Sequence, residues 1–228
     1  QARLRVLLDS TSLDMNTEIG DGHRGAAETF GKIVFERSAD DYFFSDLILC
    51  WGANPLYTQI PNAHFLLEAR YKGAELVCIT PDYSASALHA DRWIPVKPGG
   101  DAALGLGVAH VLIAEKLFDR AFVQEQTDLP MLVREDTHRF LRGSDLKAGG
   151  NGDQLYFHDP KKGVVPASGH SLALEGLEPS LEGRFEATLA NGKKVGVRPV
   201  FELLRGHLAA YAPEKAATLS GTPATLIQ

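Results

Sequence analysis

The chain has 228 residues, of which 44% are hydrophobic and 23% are charged, and its formal net charge is -6. Such a composition is typical of a globular protein with a sizeable core. The acidic balance and the lack of any Lys/Arg run exclude a nucleic-acid surface, which requires clustered cations. The apolar window at 102–118 is interrupted by His110 and Glu115, so no membrane span is predicted.

The first 30 residues combine one apolar run with polar turns. A strand is predicted at about 4–8, and the glycines of GDGHRG predict a loop at 20–25. Residues 12–26 form a turn-rich stretch with four ionisable side chains, Asp14, Glu18, Asp21 and His23. This stretch is either a solvated loop or a site loop that offers a carboxylate to a metal or substrate. The spacing does not say which carboxylate.

Between residues 45 and 118, short apolar runs alternate with segments of helical spacing. The runs predicted as strands are Leu47 to Cys50, Leu76 to Ile79 and Trp93 to Val96. The segments predicted as helices are 62–72, 84–90 and 101–117, with Asn62 and Asp101 as N-caps. This alternation is typical of βαβ units and predicts a parallel sheet. Cys50 and Cys78 lie inside the apolar runs, so we predict buried thiols and no disulfide or metal framework.

Beyond residue 145 the patterns change to hairpins and then return to helix. One hairpin is predicted around Asp159 to Gly163, and a second turn at Asn191-Gly192. A helix follows residue 199, and Pro213 and Gly221 should begin and end another. The predicted fold class is α/β, a Rossmann-like, mostly parallel sheet flanked by helices with a small β-hairpin excursion. We expect one folding unit, with a core at about 1–145, the excursion at about 150–198 and closing helices at about 199–228.

A loop rich in small and polar residues follows each of the three predicted strands. The loops are WGANP, TPDYS and KPGGD. Because the carboxyl ends of parallel strands meet at one sheet edge, where ligands bind, these loops predict a joint site. Glycines allow close backbone approach, helix N-termini favour a pyrophosphate, and Asp101 could accept two hydrogen bonds from a base such as guanine. The alternative is three ordinary turns, whose chemistry selects the same residues.

Several well-known site motifs are missing from the sequence. WGANP replaces the G-x-G-x-x-G fingerprint of NAD-binding domains, and neither a P-loop nor a G-x-S-x-G elbow occurs. The eight histidines include no close pair at metal-ligand spacing. We expect His64 and His110, which lie on apolar helix faces, to be packed in the core.

The order of these segments carries a resemblance to a known family. Residues 51–119 look like the molybdopterin-dinucleotide-binding core of the dimethyl sulfoxide reductase superfamily. NAHFLLEARYKGA, TPDY and FVQEQTDLPMLVREDTHRFL resemble its type II branch. That branch contains respiratory nitrate reductase, nitrite oxidoreductase, the perchlorate, chlorate and selenate reductases, and dimethyl sulfide and ethylbenzene dehydrogenases.

The resemblance implies a molybdenum ion held by two molybdopterin guanine dinucleotides and one protein ligand. The position that looks like the aspartate ligand of the branch is Asp14, which is thereby implied as the metal-binding and catalytic residue. Asp9 and Asp21 are near enough in sequence to be confused with it. The implied dinucleotide contacts are Gly52, Asn54, Pro55, Pro81, Asp82, Tyr83, Gly100 and Asp101.

The resemblance also implies what lies outside this chain. Catalytic subunits of the family are several times longer, so the chain looks like an internal segment. An iron–sulfur cluster is expected in the full-length subunit but has no ligands here. Expected partners are an iron–sulfur electron-transfer subunit, a haem subunit in some relatives, and a small-molecule substrate. Location in the periplasm is favoured over the cytoplasmic face of the inner membrane.

Three readings of the function stay open at this stage. The first is oxygen-atom transfer between water and substrate, with oxyanion reduction or nitrite oxidation favoured. The second is a hydrocarbon or dimethyl sulfide dehydrogenase of the same branch. The third is a nucleotide-dependent enzyme without molybdenum, or a non-catalytic interaction domain.

Overall fold

A computed structural model describes residues 7–9, 24–30, 38–168 and 174–228. The helices are α1 (Arg24–Phe30), α2 (Pro55–Thr58), α3 (Ile60–Tyr71), α4 (Ala85–Leu88), α5 (Asp101–Ala114), α6 (Arg120–Gln126), α7 (Gly143–Leu146), α8 (Val200–Leu208) and α9 (Pro213–Ser220). The strands are β1 (Leu47–Trp51), β2 (Glu75–Thr80), β3 (Arg92–Pro95), β4 (Leu132–Arg134), β5 (Tyr156–Asp159), β6 (Gly163–Pro166), β7 (Phe185–Thr188) and β8 (Lys194–Pro199). Short 3₁₀ helices lie at Ala39–Phe44, Ala209–Tyr211 and Ala224–Leu226.

The chain divides into two compact units. The first comprises residues 1–49 and 54–76, and the second comprises residues 50–53 and 77–228. The predicted boundaries near residues 145 and 199 stay predictions.

The first unit is built on α3 and the 3₁₀ helix at Ala39–Phe44. Their aromatic side chains meet, with the Phe43 and Phe65 ring centroids 5.6 Å apart. The Lys72 ammonium lies 4.1 Å from the Phe43 ring centroid, a cation–π distance. On its inner face α3 buries Leu66 and Ala69. The beginnings of β1 and β2 are also hydrogen-bonded to each other, since Glu75 N donates to Asp46 O at 2.8 Å.

The predicted parallel sheet is present, with the strand order β1-β2-β3. Val77 pairs with Arg92 and Thr80 with Pro95 in a parallel register. Strand β2 is buried along nearly its whole length, as a strand covered on both faces should be. In β1, by contrast, buried residues alternate with exposed ones, and Leu49 is 51% exposed.

Both cysteines lie on this sheet and are buried free thiols, as predicted. Burial raises the pKa of the Cys50 thiol to about 11, and the neighbouring Cys78 adds to the effect. Because the thiolate is the reactive form, Cys50 is chemically inert in the folded chain near neutral pH.

In the second unit, helices α5 and α9 pack together beside the sheet. Their shared core consists of Val77, Ile79, Val96, Leu104, Ala216 and Ile227. Close approach of the two helices depends on Gly107, because a Cβ there would lie 2.6 Å from the Ala216 Cβ. A glycine inside a helix costs about 1 kcal/mol relative to alanine, and here the contact between helices explains its presence.

We expect Gly107→Ala to lower the free energy of unfolding by about 1–3 kcal/mol, the usual cost of overpacking a core contact. Gly105→Ala in the same helix is the matched control, since its Cβ would meet Trp51 Cη2 at an ordinary 3.6 Å. That variant should be neutral or more stable by up to about 1 kcal/mol because alanine favours helix. Urea unfolding of the 228-residue chain measures both, and equal effects would contradict the packing described for α5 and α9.

Strands β4, β8 and β7 form an antiparallel sheet in that order. The Asn191-Gly192 turn joins β7 to β8, and β5 pairs with β6 around Asp159 to Gly163, so both predicted hairpins are confirmed. The pairing of β4 with β8 was not predicted. A strand of three residues is too short to show an alternating pattern, so its place is set by pairing and burial.

An ion-pair cluster lies on this second sheet around Glu135. Its carboxylate accepts hydrogen bonds from Arg184 Nη2 at 2.8 Å and from Arg198 Nε at 2.7 Å. These two bonds lower the pKa of Glu135 to about 2. A side chain at Gly196 would collide with the Glu135 carboxylate, so glycine makes room for the cluster.

Other local predictions near the N-terminus and at the helix starts were wrong. Leu7 and Leu8, the described part of the strand predicted at about 4–8, are helix and turn. Arg24 and Gly25, the described part of the loop predicted at 20–25, belong to α1, and the remainder of both predictions lies outside the described residues. Helix α3 starts at Ile60, before the predicted cap Asn62, because Pro61 is tolerated in a first turn where no N–H is needed.

The two histidines also differ from the prediction. His64 is exposed, since α3 turns Leu66 and Ala69 inward instead. His110 is half-buried, and its Nδ1 lies 2.9 Å from Leu208 O.

Candidate functional site

The second unit brings most of the predicted site residues to the carboxyl ends of three strands. Gly52 follows β1, Pro81 to Tyr83 follow β2, and Gly100 and Asp101 follow β3. Gly52 N donates to Ile79 O at 2.9 Å, which continues the pairing of β1 with β2 to the end of both strands. Its φ of +61° is a left-handed conformation that glycine adopts without strain. The predicted sheet-edge arrangement of these residues is therefore present.

Asp101 makes a hydrogen bond at this sheet edge to a side chain that is distant in the sequence. It is the first residue of α5, and Gly100 occupies the N-cap position, so the predicted capping role of Asp101 was wrong. Its carboxylate instead accepts a hydrogen bond from the Trp51 indole, with 2.8 Å between Nε1 and Oδ1. Sequence reasoning missed Trp51, because an aromatic residue ending an apolar strand is normally read as packing.

Gly100 has a packing reason for being glycine. A Cβ at this position would lie 2.8 Å from Ser220 Cα and 2.9 Å from Ser220 O. Ser220 also contacts the loop after β3 by a hydrogen bond, since Lys97 N donates to Ser220 O at 2.8 Å. Thr222 Oγ1 donates to Pro95 O at 2.6 Å. We call these contacts of residues 220–222 with residues 95–100 the clasp, and it fixes the backbone that leads into Asp101.

The loop after β2 is ordered by hydrogen bonds that leave its polar groups outward. Thr80 is 4% exposed, and its hydroxyl donates to Asp82 O at 2.8 Å. Trp93 Nε1 donates to Thr80 O at 3.1 Å. The Trp93 and Tyr83 rings pack edge to face, with their centroids 5.3 Å apart. Tyr83 itself is 60% exposed, and Asp82 is exposed as well. The loop therefore presents a carboxylate and an aromatic ring on a rigid base.

Asn54 and Pro55 belong to the first unit. Asn54 O accepts hydrogen bonds from Tyr57 N and Thr58 N, both at 3.0 Å, and Pro55 is the first residue of α2. The proline suits this place because the first turn of a helix needs no N–H from it. These two residues thus have a clear structural role in starting α2.

The residues predicted for the metal site are all in the stretch 12–26. Asp14, Glu18, Asp21 and His23 lie outside the described residues. In the part of the chain that is described, no three His, Cys, Asp or Glu side chains are grouped as a metal site. Over the same residues, no helix is long and apolar enough to cross a membrane.

A cleft of about 470 Å³ lies elsewhere in the second unit, between α5 and α8. Phe118 and Phe201 line it, with ring centroids 5.2 Å apart. None of the predicted site residues lines this cleft.

Comparison with known proteins gives a consistent match. The family model described as "Molybdopterin oxidoreductase" matches residues 8–223. The perchlorate reductase subunit alpha of Dechloromonas aromatica (strain RCB) is 42% identical over 91% of this chain and 25% of that one. The dimethylsulfide dehydrogenase subunit alpha of Rhodovulum sulfidophilum is 38% identical over 96% and 24% of the two chains. The chlorate reductase subunit alpha of Ideonella dechloratans is 40% identical over 99% and 25%.

The chain spans about a quarter of the length of these relatives. Among solved structures, an acetylene hydratase from Pelobacter acetylenicus is similar at a TM-score of 0.44 and 20% identity, over 80% of this chain and 16% of that one.

Proposed function

This chain belongs to the molybdopterin oxidoreductase family, and from that premise we propose that it is a segment of the catalytic subunit of a molybdenum enzyme. The family match over residues 8–223 is the observation that carries the proposal. The relatives named perchlorate and chlorate reductase subunit alpha confirm the resemblance to the type II branch. The finer proposal is that the cofactor contains two molybdopterin guanine dinucleotides.

The described residues fit the nucleotide end of such a cofactor. Asp82 and Asp101 offer carboxylates, which accept strong hydrogen bonds from adjacent N–H donors such as those of guanine. The exposed Tyr83 ring offers an aromatic surface beside them, and a Cβ at Gly52 would meet no atom within 4 Å. The residues we propose to contact the cofactor are Gly52, Asn54, Pro55, Pro81, Asp82, Tyr83, Gly100 and Asp101.

The reaction we propose is oxygen-atom transfer between water and a small substrate. The molybdenum centre supplies the two-electron chemistry, and the protein supplies binding and orientation. Reduction of an oxyanion, or oxidation of nitrite, is favoured because relatives over nearly the whole chain are named perchlorate and chlorate reductase. The second candidate, oxidation of a sulfide or hydrocarbon, is favoured by the 38% identity to a dimethylsulfide dehydrogenase.

We propose Asp14 as the protein ligand of the metal. A carboxylate ligand brings negative charge to the centre and can leave a coordination position for substrate. Glu18, Asp21 and His23 follow within one short stretch of sequence and are candidates for moving protons at the site.

We further propose partners and a location that follow from the family. An iron–sulfur subunit would exchange electrons with the catalytic subunit, and a haem subunit would serve the same path in some relatives. The iron–sulfur cluster of the catalytic subunit itself would be bound by residues outside this chain. We propose the periplasm as the location, with the cytoplasmic face of the inner membrane as the alternative.

Metal and nucleotide analysis of the purified full-length protein tests this function. We expect near-stoichiometric molybdenum, and two GMP per molybdenum after acid hydrolysis of the dinucleotides. Absence of both molybdenum and tungsten would overturn the proposal in favour of a metal-free nucleotide enzyme or an interaction domain. Release of AMP or CMP instead of GMP would overturn the guanine form alone.

A further inference from the structure

The Trp51 indole makes a hydrogen bond in addition to its packing contacts. Its Nε1–H donates to one oxygen of the Asp101 carboxylate at 2.8 Å, across 50 residues of sequence. The ring is 37% exposed, so burial of the indole is incomplete and does not by itself explain a tryptophan at this position. A hydrogen bond from a neutral donor to a carboxylate is charge-assisted and stronger than one between neutral groups.

The surroundings hold the indole in this orientation. A Cβ at Gly105 would lie 3.6 Å from Trp51 Cη2, so the ring runs along the first turn of α5. Asp101 and Gly105 are one helical turn apart and therefore lie on the same face of α5. Gly52, directly after Trp51, is hydrogen-bonded to Ile79 O, which fixes the strand end that carries the indole.

Two groups of contacts, one from a segment before Asp101 in the sequence and one from a segment after it, thus restrict Asp101. The clasp fixes its backbone, because Gly100 lies in backbone contact with Ser220. The indole fixes its side chain, since a carboxylate oxygen that accepts the Nε1–H cannot rotate freely. A carboxyl group at the start of a helix without such a donor would sample several rotamers and lose this freedom on binding a ligand.

We infer that Trp51 is a positioning residue which orients the Asp101 carboxylate to select a base with adjacent N–H donors, that is, guanine over adenine. This inference rests on the proposed function, in which Asp101 contacts the nucleotide end of the cofactor. Because one oxygen of the Asp101 carboxylate accepts the indole N–H, the plane of the carboxylate is already fixed when the base binds. Guanine offers two adjacent N–H donors to such an acceptor, whereas adenine offers an acceptor nitrogen beside its amino group.

The test measures nucleotide selectivity in the full-length subunit isolated without its cofactor. GDP and ADP are the probes, and titration calorimetry gives both dissociation constants. We expect Trp51→Phe to weaken GDP binding about 2- to 10-fold, the range for a side chain that the ligand itself must immobilise. ADP binding should be unchanged, so the GDP/ADP selectivity ratio should fall by the same factor.

Replacement of Trp51 by β-(3-benzothienyl)alanine provides a variant of nearly identical shape, with sulfur in place of the N–H. It separates the hydrogen bond from ring packing and should give the same loss of selectivity even if Trp51→Phe fails to fold. Tyr156→Phe is the control, because Tyr156 lies in β5 and is not one of the residues proposed to contact the nucleotide or to support Asp101. Its selectivity ratio should equal that of the unaltered protein.

A double-mutant cycle completes the test. Asp101→Asn replaces an acceptor oxygen by an amino group and should itself reduce the ratio, and adding Trp51→Phe should then reduce it no further. Equal weakening of GDP and ADP by the Trp51 variants would show a purely structural role and overturn the inference. An unaltered protein without any GDP preference would overturn the guanine assignment too, whereas a preference retained in both Trp51 variants overturns the inference alone.

Discussion

Leu104→Ala is expected to lower the free energy of unfolding by about 2–5 kcal/mol, the range for removing a leucine side chain from a packed core. Leu104 is 1% exposed and lies in the core that α5 and α9 share with the sheet. The core around Leu104 also contains Val77 and Ile79 of β2 and Ala216 of α9, so these elements would have to move to fill the cavity. Urea unfolding of the 228-residue chain, with the slope held common to all variants, measures the change.

Leu112→Ala is the matched control for this prediction. Leu112 lies in the same helix but is 41% exposed, so the same substitution carries the same change in helix propensity without a cavity. Its effect should stay below about 1 kcal/mol, as for most surface substitutions. If the two variants lose equal stability, the face of α5 that contacts the sheet has been assigned wrongly.

Asp14→Ala in the full-length enzyme is expected to abolish turnover or reduce it by more than about 100-fold. Changes to groups that merely support metal ligands already cost 10- to 100-fold, and a direct ligand should cost more. The molybdenum electron-paramagnetic-resonance signal should change form, because the charge and number of ligands change. This second readout separates a metal ligand from a residue that only binds substrate.

Two neighbouring aspartates serve as controls for Asp14. Asp21→Ala should leave the molybdenum signal unchanged. Asp9 has a φ of +48°, so Asp9→Asn is preferable to alanine there, since asparagine tolerates this conformation. A changed signal in either control, with an unchanged one in Asp14→Ala, would move the proposed ligand to that residue.

The repeated elements of the sheet could be predicted because each carried its own local signal. Apolar runs of four residues were followed by loops that contain Gly, Pro or Asp and alternated with helical spacing, which is enough to predict parallel strands and a common edge. Turns such as Asn191-Gly192 were equally clear, since their backbone conformation favours those residue types. The positions of the loops at the sheet edge followed from topology alone.

What could not be predicted depends on contacts between distant residues. Nothing near Trp51 in the sequence indicates that its indole reaches Asp101, and nothing near Gly100 indicates that Ser220 will lie against it. The predicted cap at Asp101 was wrong because the helix already includes Asp101 as its first residue, with Gly100 in the N-cap position. Sequence rules consider hydrogen-bond partners within a few residues of a side chain, whereas the partner of Asp101 is 50 residues away.

The clasp also determines when the site can be completed as the chain folds. Thr222 donates to Pro95 across 127 residues, so this bond closes a very long loop. Contacts of such separation form late, because the entropy of closing the loop must be overcome first. We expect β2 and β3 to pair while α9 is still unfolded, and the backbone before Asp101 to take its final form only when residues 220–222 reach it. Residues 220–222 are thus expected to set the order in which the sheet and the loop before Asp101 become native.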